Sequence, residues 1–199
     1  MREIGRIKQV QVQRSPLKIG QKPYRYYDPS PLLIVHSLLL STRGVIGVTA
    51  EGEEIIDVHH TDHPSSRNHA VNAVSMGFTS HYQSMRTYFG PHLLDGCAGE
   101  NILVETEDEQ EPARLEYGIA IQLANSGLVV RLIDIIVAAP CVEFSQFASC
   151  DMMPLVGERL KEALQFLDNG KRGFYMAMAL QQEPVAIQAG DTVFSLELT

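Results

Sequence analysis

Cysteine is scarce in this chain. There are three in 199 residues, Cys97, Cys141 and Cys150. So small and odd a number does not make the disulfide framework of a secreted domain, and a reducing setting fits it better. Positive charge is also in deficit, with 16 Lys and Arg against 24 Asp and Glu and a formal net charge of -8. That argues against a general nucleic-acid binder, whose affinity starts from phosphate neutralisation by Lys and Arg. It leaves room for an anionic small-molecule ligand, which answers to a local field rather than to the total charge. Long apolar runs are missing. The opening MREIGRIKQVQVQ has no apolar signal core. The longest apolar stretches, such as Leu38–Leu40 and Ile133–Ala139, fall far short of a spanning helix. The expectation is a soluble, cytoplasmic protein with neither nucleic-acid nor membrane partners. Repeats, linkers and low-complexity segments are absent as well, so one domain spanning 1–199 is expected.

What is present is ordinary globular material, 45% apolar and 20% charged. A chain of this length hides roughly 70% of its unfolded surface, enough for a core without metal or disulfide. Ile7-Lys8-Gln9-Val10-Gln11-Val12-Gln13 alternates near period two, as a half-buried strand does. Residues 24–30 read as a loop, and Leu32–Leu40 as a buried strand or a short helix. Gly44–Val48 and Glu54–His59 read as strands around a turn at 50–53. The segment His69–Phe89 has helical character, with a break near Gly77 and a new start at Thr79 or Ser80. Ile102–Val104 reads as a short strand and 105–111 as a solvated acidic loop. Gly118–Ala139 is the richest strand material, two strands joined by Asn125-Ser126-Gly127. Leu155–Leu167 reads as an amphipathic helix stopped by Asn169-Gly170. Strands at Phe174–Leu180, Val185–Ile187 and Thr192–Leu198 complete the chain. Many short strands without regular alternation of helices predict a mostly β chain, a β-barrel with inserted helices.

Four spots carry residues suited to chemistry. In the first, Asp57-Val58-His59-His60-Thr61-Asp62-His63 is followed by Arg67, Asn68 and His69. His and carboxylate ligands suit zinc or iron, but a proline-containing loop lacks the fixed frame of a metal site, and a polar loop whose histidines cap strand and helix ends is the simpler reading. Arg67, a planar fork beside a helix start, suits an anion. The second spot is Cys97-Ala98-Gly99-Glu100-Asn101-Ile102, either a ligand-facing loop or a plain entry into a strand. The third is Ala139-Pro140-Cys141, where proline holds a cysteine at the rim of the sheet. Such a sulfur is a nucleophile, a persulfide carrier, a soft ligand to molybdenum, or a small buried hydrophobe. The fourth is Gly170-Lys171-Arg172-Gly173-Phe174-Tyr175, two cations between glycines that suit an anionic group and equally a helix C-terminus.

In this order the four spots, closed by Gly190-Asp191-Thr192-Val193, resemble the MOSC domain, named for the C-terminus of the molybdenum cofactor sulfurases. The resemblance runs from about Ile7 to Leu198. It implies a distorted mixed β-barrel with a few inserted helices and a cleft around Cys141. In the family this cysteine carries sulfur as a persulfide or ligates molybdenum. By the same resemblance Arg67, Glu100, Asn101, Lys171 and Arg172 line the cleft and bind the molybdenum cofactor (molybdopterin). Relatives often carry an arginine shortly before the Pro-Cys pair, where this chain has Ala138-Ala139. The chain has no room for the pyridoxal phosphate domain of the fused sulfurases, so a stand-alone module is expected. The implied function is sulfur carriage or transfer through Cys141, with a cysteine-desulfurase-type sulfur donor or a molybdoenzyme acceptor as partner. Two alternatives stand beside it: a non-catalytic binding module for an anionic ligand or the cofactor, and a small molybdenum-dependent reductase of N-oxygenated compounds. An interaction role for the acidic stretch 105–111 has less to carry it than a solvated loop.

Overall fold

Alternation along the strands sorts side chains to the two faces of a closed wall. The computed structural model describes residues 1–66, 72–179 and 184–197. In chain order the elements are β1 (Arg2–Gln13), β2 (Lys18–Ile19), β3 (Tyr26–Tyr27), β4 (Leu32–Ile34), β5 (Ser37–Ser41), β6 (Gly44–Val48), β7 (Glu54–Ile56), β8 (Val74–Phe78) and α1 (Thr79–Phe89). They continue with β9 (Ile102–Glu105), α2 (Pro112–Leu115), β10 (Ile119–Gln122), β11 (Val129–Val137), α3 (Val142–Ser149), α4 (Gly157–Leu167), β12 (Phe174–Met178), β13 (Val185–Gln188) and β14 (Thr192–Ser195).

Seven strands close a mixed barrel in the order β14-β10-β11-β12-β8-β9-β1, sealed by pairing of β1 with β14. The β8–β9 pair is parallel and its neighbours in the ring are antiparallel. β4 pairs with β1 beyond the ring. A second sheet, β13-β5-β6-β7, adds Leu38, Leu40, Val45 and Ile187 to the barrel's core. The period of two is plain in β9, where Ile102 and Val104 join that core and Leu103 faces a second cluster outside the wall. This outer cluster gathers Tyr27, Tyr82, Met85, Cys97, Phe144, Ala148 and Leu167, so α1, α3 and α4 all pack there. Among the described residues no helix is long and apolar enough to cross a membrane.

Several local expectations change. Val74–Phe78 is a strand, not part of a helix over His69–Phe89; Val74, Met76 and Phe78 enter the barrel core, while Ser75 and Gly77 face Asn101 and Glu100 on the outer side. The helix does begin at Thr79. Residues 32–40 divide between β4 and β5, and Tyr26–Tyr27 pairs with Lys18–Ile19 as a small hairpin. The acidic stretch 105–111 is not simply solvated. Ser80 Oγ donates to the Asp108 carbonyl at 2.9 Å, and the Gln110 amide donates to His81 Nε2 at 3.0 Å, which holds it against α1. The α3 helix after Cys141 was not foreseen; Pro140 ends the strand run, and Phe144 and Ala148, one turn apart, bury its inner face.

The polar face of β1 holds up the loop that leads into β9. Gln11 Nε2 donates to the carbonyls of Gly96 and Glu100, each at 2.8 Å, and Gln13 Nε2 donates to that of Gly99 at 2.6 Å. Next to them Asn101, 1% exposed, uses every polar atom within the wall. Its Oδ1 accepts from Ser75 N and Oγ at 3.1 and 2.9 Å, and its Nδ2 donates to Asp57 Oδ2 at 2.9 Å. Asn101→Ala is therefore expected to destabilise the protein by about 2–4 kcal/mol, because several buried partners lose their bonds together. Urea unfolding measures this, and a change of a few tenths would show that the side chain is not structural.

Candidate functional site

Three segments meet outside the barrel wall next to Cys141. The first is the end of β11, from which Ala138 N still donates to the Gly173 carbonyl at 3.0 Å. Pro140 then turns the chain, and Cys141, extended at φ -136°, stands at the N-cap of α3. Its carbonyl accepts from Ser145 N and Oγ at 3.0 and 2.9 Å. Its sulfur is half-buried at the rim. The second segment is the turn from α4 into β12. Gly173 there has φ +94°, and a Cβ would lie 2.5 Å from the Met76 carbonyl, so only glycine lets the turn press against β8. The third is the 96–100 loop.

Arg172 ties them together. Its Nη1 donates to Cys141 Sγ at 3.3 Å and its Nη2 to the Ala98 carbonyl at 2.9 Å. The guanidinium lies 4.4 Å over the Phe144 ring. Its Nε is buried and meets no acceptor. Burial works against this cation, but Tyr27, Cys141, Tyr175 and Glu100 outweigh burial and hold its pKa above the ordinary value.

Glu100 lies beneath, 4% exposed. Its Oε2 accepts from Tyr82 at 3.0 Å, and a Cβ at Gly77 would fall 2.3 Å from its Oε1, so the carboxyl occupies the space a side chain at position 77 would need. Burial pushes its pKa up to about 7. Burial likewise raises Tyr27, Tyr82 and Tyr175 above the usual phenol value. Cys97, in the same cluster, is pushed up to about 12 by burial and by Glu100, which makes it an inert thiol. Cys150 is exposed at the far end of α3.

The sequence-predicted residues thus divide. Cys141, Arg172 and Glu100 come together. Asn101 belongs to the wall, as described above. Lys171 points away from its neighbour Arg172: its Nζ pairs with Glu109 at 2.7 Å and lies 5.6 Å from the Phe166 ring. Arg67 lies outside the described residues, as do Asn68 and His69. In the histidine loop Asp57 is fully buried and accepts from Gln13 N and His59 N at 2.7 and 2.9 Å. His60 Nδ1 accepts from Asp62 N, and His63 Nδ1 from Ser65 N, so these rings close turns. Among the described residues no group of three His, Cys, Asp or Glu is placed to hold a metal ion. Sequence reasoning missed Tyr27, Tyr82 and Phe144. Tyr82 reads as an ordinary apolar position of α1, and nothing in a linear pattern brings Tyr27 to residue 141.

The molybdenum cofactor that the resemblance implies is a phosphorylated pterin, and the described residues do not fit it. The cavity bounded by Ser75, Gly99, Glu100, Arg172 and Tyr175 measures about 10 Å³, room for roughly one water. Of the cations assigned to the cofactor, Arg172 alone among the described residues reaches Cys141.

No protein-family model matches the sequence, and no curated protein matches it. Among solved structures the chain is similar to the YuaD protein from Bacillus subtilis, with 12% identity over 97% of this chain and 96% of that one and a TM-score of 0.58. It is also similar to a hypothetical protein, with 11% identity over 96% of this chain and 66% of that one and a TM-score of 0.52. At these identities the likeness is one of fold, and it spans nearly the whole chain.

Proposed function

We propose that this protein carries sulfane sulfur on Cys141. The observation that supports the reading is the part-buried Arg172 fork donating to a part-buried sulfur at 3.3 Å. A cation at hydrogen-bond distance favours a sulfur anion, whether thiolate or persulfide. In loading, the Cys141 sulfur attacks the outer sulfur of a persulfide donor. The donor's S–S bond breaks, its thiolate leaves with the electron pair, and the outer sulfur, with its proton, becomes the persulfide of Cys141. In delivery an acceptor nucleophile takes the outer sulfur, and Cys141 leaves as a thiolate held by Arg172. No electrons are gained or lost overall. A molybdoenzyme awaiting sulfur fits the role of acceptor.

The test uses protein carrying Cys150→Ser, which removes the exposed thiol. After incubation with a persulfide donor, cyanide releases bound sulfane sulfur as thiocyanate. Cys141→Ser in that background is expected to release none while unfolding within about 1 kcal/mol of its parent. Thiocyanate at the parent's level would sink the proposal. Arg172→Met is expected to lower the loading rate about 10- to 100-fold, the worth of a hydrogen bond to a charged group.

A second prediction follows from Glu100. Its pKa is near 4.5 when unfolded and about 7 when folded, so folding takes up a proton between those values. Its contribution to stability is complete below about pH 4.5 and is lost as pH rises through about 7. From pH 5 to pH 8 the native protein is expected to lose on the order of 1–3 kcal/mol relative to Glu100→Gln. Paired urea titrations at the two pH values measure it, and parallel pH dependence in both proteins would refute it.

A further inference from the structure

Although the chain is acidic, no Asp or Glu stands between Glu3 and Asp28, while Arg6, Lys8, Arg14, Lys18, Lys22 and Arg25 do. The second half of this basic stretch is the β2–β3 hairpin, and the hairpin packs on the helix that Cys141 caps. The Tyr27 ring meets Phe144 edge-on at 5.1 Å and Phe147 at 5.2 Å. Leu17, Tyr27 and Cys141 share the outer cluster. Glu143, two residues past the thiol, fixes the hairpin. Arg25 Nε donates to its Oε1 at 2.5 Å, and Lys18 Nζ lies 3.9 Å from its Oε2. One carboxylate therefore faces two cations, Lys18 and Arg25. Lys18 and Arg25 keep 41% and 31% of their side chains exposed, and Lys22 is exposed with no carboxylate at ion-pair distance among the described residues. With Arg172 inside the rim, Lys18 and Arg25 place cations beside the segment that carries the sulfur.

We propose that the donor exchanging sulfur with Cys141 is a low-molecular-weight persulfide bearing carboxylate groups, drawn in by the hairpin cations. This rests on the sulfur-carrier reading above and names its substrate class. A field of one sign raises the rate at which oppositely charged reactants arrive, and a half-buried sulfur is reached with least rearrangement by a small molecule. The exchange is balanced as before: the donor's S–S bond breaks, its carboxylate-bearing thiolate departs, and the outer sulfur stays on Cys141.

Two disulfide probes test the charge preference in the Cys150→Ser protein at pH 8 and low salt. One is 5,5′-dithiobis(2-nitrobenzoate), a dianion, and the other is uncharged 4,4′-dithiodipyridine. The ratio of their rate constants at Cys141 is expected to fall about threefold to tenfold on Lys22→Glu, further with Lys18→Gln added, and to fall likewise in 0.5 M salt. Persulfides give the direct arm: N-acetylcysteine persulfide is expected to load Cys141 faster than cysteamine persulfide. A ratio indifferent to the lysines and to salt, or the reverse order of the persulfides, overturns the proposal while leaving sulfur carriage standing. Failure of both probes to react with the folded protein, when both label it in urea, overturns the two together.

Discussion

The guanidinium of Arg172 is the constraint on which the rest depends. One planar group binds the sulfur of Cys141, the carbonyl of Ala98 and the face of Phe144. It thereby joins the end of β11, the loop before β9 and the first turn of α3, segments that share no local pairing. A lysine has neither the fork nor the plane to make these three contacts at once. The turn that aims Arg172 at the sulfur sends Lys171 to Glu109 and the Phe166 ring instead.

The barrel's contribution is rigidity under that group. Gln11 and Gln13, on the outward face of β1, hold the carbonyls of Gly96, Gly99 and Glu100, and Asn101 locks the same loop to Ser75 and Asp57. The loop can therefore present the Ala98 carbonyl to Arg172 and keep Glu100 beneath it. Polar side chains inside a sheet stabilise only when every partner is satisfied, and here they fix the geometry of a site that their own atoms do not enter.

Much of this was legible in the sequence and some was not. The barrel was readable because β9–β11 and the last strands alternate or run apolar between clear turns. The pairing of Cys141 with Arg172 was readable only through the order of motifs, because α3 and the β12 turn are far apart in the chain. Asn101 misled for a physical reason: a polar residue beside a functional loop looks the same whether it binds a ligand or the wall. Period two likewise puts Gln11 and Gln13 on one face of β1 without saying that the 96–100 loop covers it. The Val74–Phe78 strand alternates, Val74, Met76 and Phe78 inward, but it runs straight into α1 at Thr79 with no turn residue to separate the two periods.

Burial governs the electrostatics around Arg172. A buried cation without an opposing charge is costly, so the fold must place something negative within reach. The nearest carboxyl, Glu100, keeps its proton up to about pH 7 because burial disfavours its charge. Tyr27, Tyr82 and Tyr175 are pushed further from ionisation, again by burial. Ala98 offers only a carbonyl dipole, and the Nε hydrogen finds no acceptor. The sulfur at 141, at the rim, accepts from the guanidinium's remaining arm. Arg172 reaches that sulfur at 3.3 Å from a turn 31 residues further along the chain, so its place beside Cys141 is set by the tertiary fold and not by local sequence.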